Sequence, residues 1–321
     1  MRSSYYQSAF VMDVQIRAMN MIRISTTFLL GVCLCLVAAA AHSQSPADSA
    51  YTEVFYPSGS LRIHAYLYKP NGDGPFPVVI YNHGARTGRP RRPEPNEYIG
   101  RLLTRAGYAV LVPERRGYGG SDGPTLSEDV GNDLGQRFVV RVEAETDDVF
   151  AAVDYLRTLP FADTKRIGIM GYSLGGIVTM FAVSRSTTFA VAINQAGATG
   201  AWNISEPLRS ALIAAAEKAT TPALLLAAQN DHTTDSITTL GEIFNKRGVP
   251  HRMVVYEPFT PQHAAGTGTV GIRFNPAPGH LLFEAQGIHV WERDVLEFLA
   301  RYLGAASTGA PSGADPTKSQ Q

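Results

Sequence analysis

The chain has 321 residues, 45% of them hydrophobic, enough to bury a substantial core as one large domain or two small ones. Its 28 Lys and Arg balance 28 Asp and Glu, so nothing in the net charge favours nucleic acid or an anionic membrane as partner. The one basic run, Arg86 to Arg92, reads as a solvated loop or, failing that, as a loop that meets an anion or substrate.

The N-terminus reads as a secretory signal peptide over 1–43. Arg23 precedes the apolar run 28–37, and small residues fill 38–41, which suits cleavage after Ala41 or Ser43. The stretch before Met19 or Met21 is odd for such a leader, so one of these methionines is the expected start. The apolar run falls short of the ~18 residues a spanning helix needs, so no stable membrane anchor is expected after cleavage. Cys33 and Cys35 are the only cysteines and both lie in the leader. The exported protein then has no thiol, which excludes disulfides, cysteine metal sites and a cysteine nucleophile. Lipid attachment at Cys33 is disfavoured, because Leu30-Gly31-Val32 is a poor approach and the site would cut the apolar core short.

Residues 52–56 and 61–69 alternate apolar and polar side chains around Pro57-Ser58-Gly59-Ser60 and predict a β-hairpin. The continuous apolar runs 77–81 and 108–112 predict strands covered on both faces, with a helix over 97–106 between them. A loop rich in Gly and Asp follows, then a helix over 144–159. Strand 165–170 runs into an apolar helix from Gly176. Strands at 189–193, 222–227 and 251–256 alternate with helices at 208–219 and 237–247, and a last helix covers 289–302. Strand–helix alternation of this kind implies a mostly parallel, doubly wound sheet with the hairpin at one edge. The reading is one domain over 44–303, without a linker or repeat, and a tail over 304–321 whose composition predicts disorder.

Gly171-Tyr172-Ser173-Leu174-Gly175 occupies the sharp turn between strand 165–170 and its helix. Such a turn exposes the serine hydroxyl at a helix N-terminus. Gly119-Gly120-Ser121-Asp122-Gly123 has the same pattern, but it lies in a glycine-rich loop ending at Pro124 with no helix expected behind it. Context therefore selects Ser173 over Ser121. A serine needs a histidine to take its proton and an acid to orient that histidine. Asp231 is the first carboxylate beyond strand 222–227 and is favoured over Asp235, which suits a helix cap. Among the later histidines, His251 opens a strand at its wrong end and His289 opens a helix. His263 and His280 share the loop before the last helix, and His280, with Gly279 before it and apolar residues after, is favoured. Oxyanion donors are expected from the backbone N–H of Leu174 and of Ala85, with Gly84 next in line for the second. His83 beside them reads as a structural hydrogen-bonding residue. The eight histidines show no paired ligand spacing, and neither a metal nor a cofactor is expected.

Together these residues resemble the α/β-hydrolase superfamily, and within it the dienelactone-hydrolase and prolyl-oligopeptidase-like serine hydrolases. The resemblance runs over nearly the whole mature chain. It rests on Tyr81-Asn82-His83-Gly84, on the arginine–glycine loop from Pro113 to Ser121, on the elbow Gly171 to Gly176, on Gln229-Asn230-Asp231, and on Gly279-His280-Leu281 with the helix after Trp291. It implies that Ser121 belongs to a structural loop. Dienelactone hydrolases carry a cysteine nucleophile, and the serine here favours ordinary carboxylic esters over dienelactone. The interval 193–222 has room for one helix and no large lid, and no propeller domain precedes the fold, which favours small soluble esters over triglycerides and peptides. The expectation is an exported serine esterase on a small-molecule substrate. A peptidase or amidase on the same triad and lactone hydrolysis are the enzymatic alternatives. A binding protein on a degenerate hydrolase fold would need a broken triad. Tyr172, Trp202, Phe259 and the 86–92 loop are candidates to line the pocket.

Overall fold

A computed structural model describes residues 50–86, 90–262 and 276–304. The expected leader, His263 and nearly all of the expected tail lie outside the described residues. Eight strands form one sheet: β1 (Thr52–Ser58), β2 (Leu61–Tyr68), β3 (Phe76–Asn82), β4 (Ala109–Glu114), β5 (Ala162–Tyr172), β6 (Phe189–Gln195), β7 (Ala223–Ala228) and β8 (His251–Tyr256). Their order is β1-β2-β4-β3-β5-β6-β7-β8. Strands β3 to β8 run parallel, and β1 and β2 join antiparallel at the β4 edge, as the alternation and the hairpin pattern predict.

The helices are α1 (Glu97–Arg105), α2 (Leu126–Val130), α3 (Gln136–Leu156), α4 (Leu174–Arg185), α5 (Glu206–Lys218), α6 (Asp235–Arg247) and α7 (Ile288–Leu303). Every residue of β3, β4 and β7 is buried, which is why these strands read as unbroken apolar runs. One face packs Val78, Ile80 and Leu225 against α3 to α6, through Val149, Val178, Leu212 and Phe244. The other packs Val79, Tyr81 and Leu226 against α1 and α7, through Leu103, Trp291 and Leu299.

Two elements depart from the sequence expectation. The α3 helix starts at Gln136, well before 144, because its first turns bury Arg141 and Glu145 as well as Phe138 and Val142. Buried charges at core positions break the apolar stripe that would mark a helix face. A short helix, α2, also follows the glycine-rich loop where none is expected. Thr125 caps it reciprocally with Glu128, so Ser121 stands four residues outside its N-cap.

The buried charges form a chain of ion pairs beneath the sheet's C-terminal edge. Arg115, fully buried, donates from Nε to Glu145 Oε2 at 2.8 Å and from Nη2 to the His83 carbonyl at 2.8 Å. Arg141 Nη1 reaches Glu145 Oε1 at 3.1 Å and its Nε reaches Asp129 at 3.0 Å. Truncating one partner strands the other in the core, at a cost of about 3–5 kcal/mol. Arg115→Ala is therefore expected to lower the denaturant midpoint by a corresponding amount, whereas Arg157→Ala, in the exposed pair with Asp154, should change it little.

Candidate active site

Strand β5 ends at Tyr172 and the chain turns at once into α4. Ser173 sits on that turn at φ 56° and ψ −116°, a conformation that L side chains rarely adopt. The glycines beside it admit backbone where a side chain would block. A methyl at Gly175 would lie 1.9 Å from the Asn82 carbonyl, and one at Gly171 would lie 2.1 Å from the Gly175 carbonyl. The G-x-S-x-G spacing is thus what lets α4 start against the ends of β3 and β5.

The structure brings together the three residues read from sequence. His280 Nε2 lies 2.9 Å from Ser173 Oγ. Its Nδ1 lies 3.0 and 3.1 Å from the two carboxylate oxygens of Asp231. A carboxylate accepts, so the ring carries its proton on Nδ1 and leaves Nε2 to accept from Ser173. His280 is 2% and Asp231 9% exposed, so these contacts work in a poorly screened medium.

Each partner is held by backbone and amide clamps. His280 lies in a 3₁₀ turn, Pro278–Phe283, and not in open loop. A methyl at Gly279 would fall 2.6 Å from the Asp231 amide nitrogen, so the turn seats directly on the loop that carries Asp231. Asn230 holds that loop to the segment after β8, donating to the Phe259 carbonyl at 2.8 Å and accepting from its N–H at 2.9 Å. Tyr98 on α1 donates to the Phe283 carbonyl at 3.1 Å, and Trp291 on α7 donates to that of Leu282 at 3.0 Å.

The expected oxyanion donors flank Ser173. Gly176 and Ile177 bond to the Ser173 carbonyl at 2.9 and 3.3 Å, which leaves Leu174 and Gly175 as the first amides of α4, with no carbonyl of their own helix to meet. The loop after β3 comes against the serine: a methyl at Gly84 would lie 3.3 Å from Ser173 Cβ. Ala85 is exposed on that loop. His83 is buried with Nδ1 2.7 Å from the Gly84 carbonyl, the hydrogen-bonding role its position suggests. Arg86, at the start of the basic run, pairs with Glu114 at 2.5 Å and Glu94 at 2.5 Å, and Arg91 donates to the Gly123 carbonyl at 2.6 Å. These two arginines are spent on the protein's own loops. Burial, opposed by Arg86, pushes the Glu114 carboxyl above the usual carboxylate range.

The rival residues stand elsewhere. Ser121 is buried and donates to the Glu114 carbonyl while accepting from His64 N–H at 2.8 Å, a structural role. Asp235 is exposed in the first turn of α6. His251 bonds the Val249 carbonyl at 2.9 Å, and His289 is exposed on α7. Of the expected pocket residues, Tyr172 packs its ring 5.1 Å from that of His280, whereas Trp202 is 4% exposed in the core. Sequence reasoning missed Thr199 and His232. Thr199 Oγ1 lies 3.0 Å from His280 Nδ1. His232 donates its N–H to Asp231 Oδ1 at 2.6 Å and accepts at Nε2 from Ala277 N–H at 3.1 Å.

An elbow at the C-terminal edge of a mostly parallel sheet, with helices on both faces, defines an α/β-hydrolase. The chain belongs to the dienelactone hydrolase family, whose model matches residues 63–265. It is 28% identical over 162 residues to the quorum-quenching protein AidA of Acinetobacter baumannii, covering 50% of this chain and 47% of that protein. It is 29% identical over 146 residues to the uncharacterized peptidase YuxL of Bacillus subtilis, covering 42% of this chain and 20% of that protein. The chain thus spans less than half the length of either relative. Two solved structures share the fold. The acylaminoacyl peptidase of Pyrococcus horikoshii matches with a TM-score of 0.59 at 20% identity, over 81% of this chain and 43% of that one. An esterase of Pyrococcus furiosus matches with a TM-score of 0.56 at 17% identity, over 79% of this chain and 92% of that one.

Burial first, then the charges of Arg86 and Arg115, hold His83 well below its ordinary value of 6.5, so the folded protein keeps it neutral. Below pH 6.5 the unfolded chain takes up a proton at His83 that the folded one refuses. That stabilisation is complete above pH 6.5 and is lost as pH falls, by up to ~1.4 kcal/mol per pH unit. His83→Gln is expected to flatten the stability–pH curve below 6.5 in urea titrations, while leaving its neutral arm in place.

Proposed function

We propose that the protein is an exported serine hydrolase that cleaves small carboxylic esters through an acyl-enzyme. The observation that carries the reading is the unbroken line of hydrogen bonds from Ser173 through His280 to Asp231, at 2.9 and 3.0 Å. His280 Nε2 takes the proton of Ser173 as Oγ bonds to the ester carbonyl carbon. The N–H groups of Leu174 and Ala85 hold the oxygen that becomes negative. Collapse breaks the bond to the alcohol oxygen, which leaves with the proton from His280. Water then attacks the acyl carbon, gives a proton to His280, and releases the acid while Ser173 recovers its own.

Ser173→Ala is expected to lower turnover of p-nitrophenyl acetate by about 10⁴-fold or more. A fluorophosphonate is expected to label Ser173 alone in the native protein, and label elsewhere, or an active Ser173→Ala variant, would overturn the reading. Amide cleavage is the second reading, favoured by the peptidase named among the sequence relatives. Lactones, which are cyclic esters, are a third class that the family's name brings in. Matched p-nitrophenyl esters and anilides, with a lactone series beside them, separate the three, and faster turnover of the anilides would replace ester by amide in the proposal.

Export through the leader 1–43 is part of the same proposal and rests on its charge and hydropathy pattern. Among the described residues no helix is long and apolar enough to cross a membrane. N-terminal sequencing of the protein recovered from outside the cytoplasm should begin at residue 42 or 44.

A further inference from the structure

The loop that leaves β6 holds two non-glycine residues in the left-handed region, Ala196 at φ 54° and Ala198 at φ 67°. Apart from Asn96, the only other such residue among those described is the candidate nucleophile. Two unfavourable residues within three positions persist only where surrounding contacts over-determine the path. Those contacts are present. Ala196 N–H bonds to the Leu226 carbonyl at 2.8 Å, and Gly197 N–H to Asn194 Oδ1 at 2.8 Å. The path delivers Thr199, 2% exposed, with Oγ1 at 3.0 Å from His280 Nδ1.

The hydroxyl is wired in one direction. It lies 3.3 Å from the Ala196 carbonyl, to which it donates. Its hydrogen being engaged there, the lone pairs of Oγ1 face Nδ1. Imidazole Nδ1 carries a single hydrogen and meets three oxygens at nearly equal range, 3.0 Å for Thr199 and 3.0 and 3.1 Å for Asp231. Asp231 Oδ1 is shared with the N–H of His232.

We propose that Thr199 is a positioning residue of the active site: it acts through His280, as a second acceptor for the Nδ1 hydrogen. Held this way, the hydrogen stays on Nδ1, the ring stays in plane with Asp231, and Nε2 stays open toward Ser173. Thr199 touches no reacting atom. The strained loop is the device that brings it there. The inference rests on the Ser173–His280–Asp231 reading above.

The test measures ester turnover by Thr199→Val and Thr199→Ser, each alone and combined with Asp231→Asn. Valine keeps the shape and removes the acceptor, and serine keeps the acceptor. Thr199→Val is expected to lower kcat about 3- to 10-fold, the worth of one hydrogen bond, with KM within about twofold of native. Thr199→Ser should restore kcat. Asp231→Asn exchanges the charged acceptor for a weaker, neutral amide, so the Nδ1 hydrogen depends more on Thr199 there and Thr199→Val should cost a larger factor than it does alone. Circular dichroism at the assay temperature verifies that each variant is folded, and a merely structural role would predict equal factors in both backgrounds. Native kcat in Thr199→Val, no rescue by serine, or equal factors would overturn the proposal. Fluorophosphonate labelling of native Ser173 separates the two levels. Label with an unaffected Thr199→Val sinks this inference alone, and absence of label sinks the triad and this inference together.

Discussion

The close approach of the first turn of α4 to the end of β3 sets the geometry of the whole site. The carbonyl of Asn82 and the backbone of Gly175 stand so near that any side chain at 175 would overlap it. This contact forces the β5–α4 turn to be abrupt, and an abrupt turn is what puts Ser173 at positive φ with its hydroxyl outward. The same contact places the loop carrying Gly84 and Ala85 beside Ser173. The placement of Ser173, the helix N-terminus and the opposing loop are thus three consequences of one backbone packing. The strain at Ser173, of order 1–3 kcal/mol, is carried by a sheet in which β3, β4 and β7 are buried along their whole length.

The loops that complete the site are pinned by charge rather than by apolar contact. Arg115 ties the His83 carbonyl to Glu145 on α3, and Arg86 ties the next residues to Glu114 at the end of β4. Such pairs contribute little net stability, because desolvation offsets attraction. Their effect is on position: an unpaired charge in this setting is so unfavourable that the loop has one acceptable place. His83, held neutral in the same cluster, adds a hydrogen bond without a further charge.

These two kinds of support differ in how readable they are from sequence. The sheet was legible because strands covered on both faces must be apolar throughout, as 77–81 and 222–227 are. The three central residues were legible because a parallel sheet gathers chemistry at the C-terminal ends of its strands, and each of them follows such an end or the last loop. The start of α3 was not legible, since Arg141 and Glu145 occupy core positions that the pattern assigns to apolar residues. The helix at 126–130 had a readable signal in Thr125 and Glu128, masked by the glycine-rich run before it. Thr199 was hidden more deeply. The segment Ala196-Gly197-Ala198 reads as a spacer of small residues, and its left-handed alanines are a product of tertiary contacts with Asn194 and Leu226 that no local pattern encodes.

The chemistry of the leaving group explains why a second acceptor on His280 would matter unequally across substrates. An activated alcohol departs with little help, so ester cleavage in the proposed cycle would depend mainly on His280 as base toward Ser173. An amide nitrogen must gain a proton before it departs, so the imidazolium has to persist, oriented, until the bond breaks. Asp231 and Thr199 both face the nitrogen whose hydrogen is retained throughout that interval. In the proposed cycle the two acceptors would therefore support the half in which His280 acts as acid.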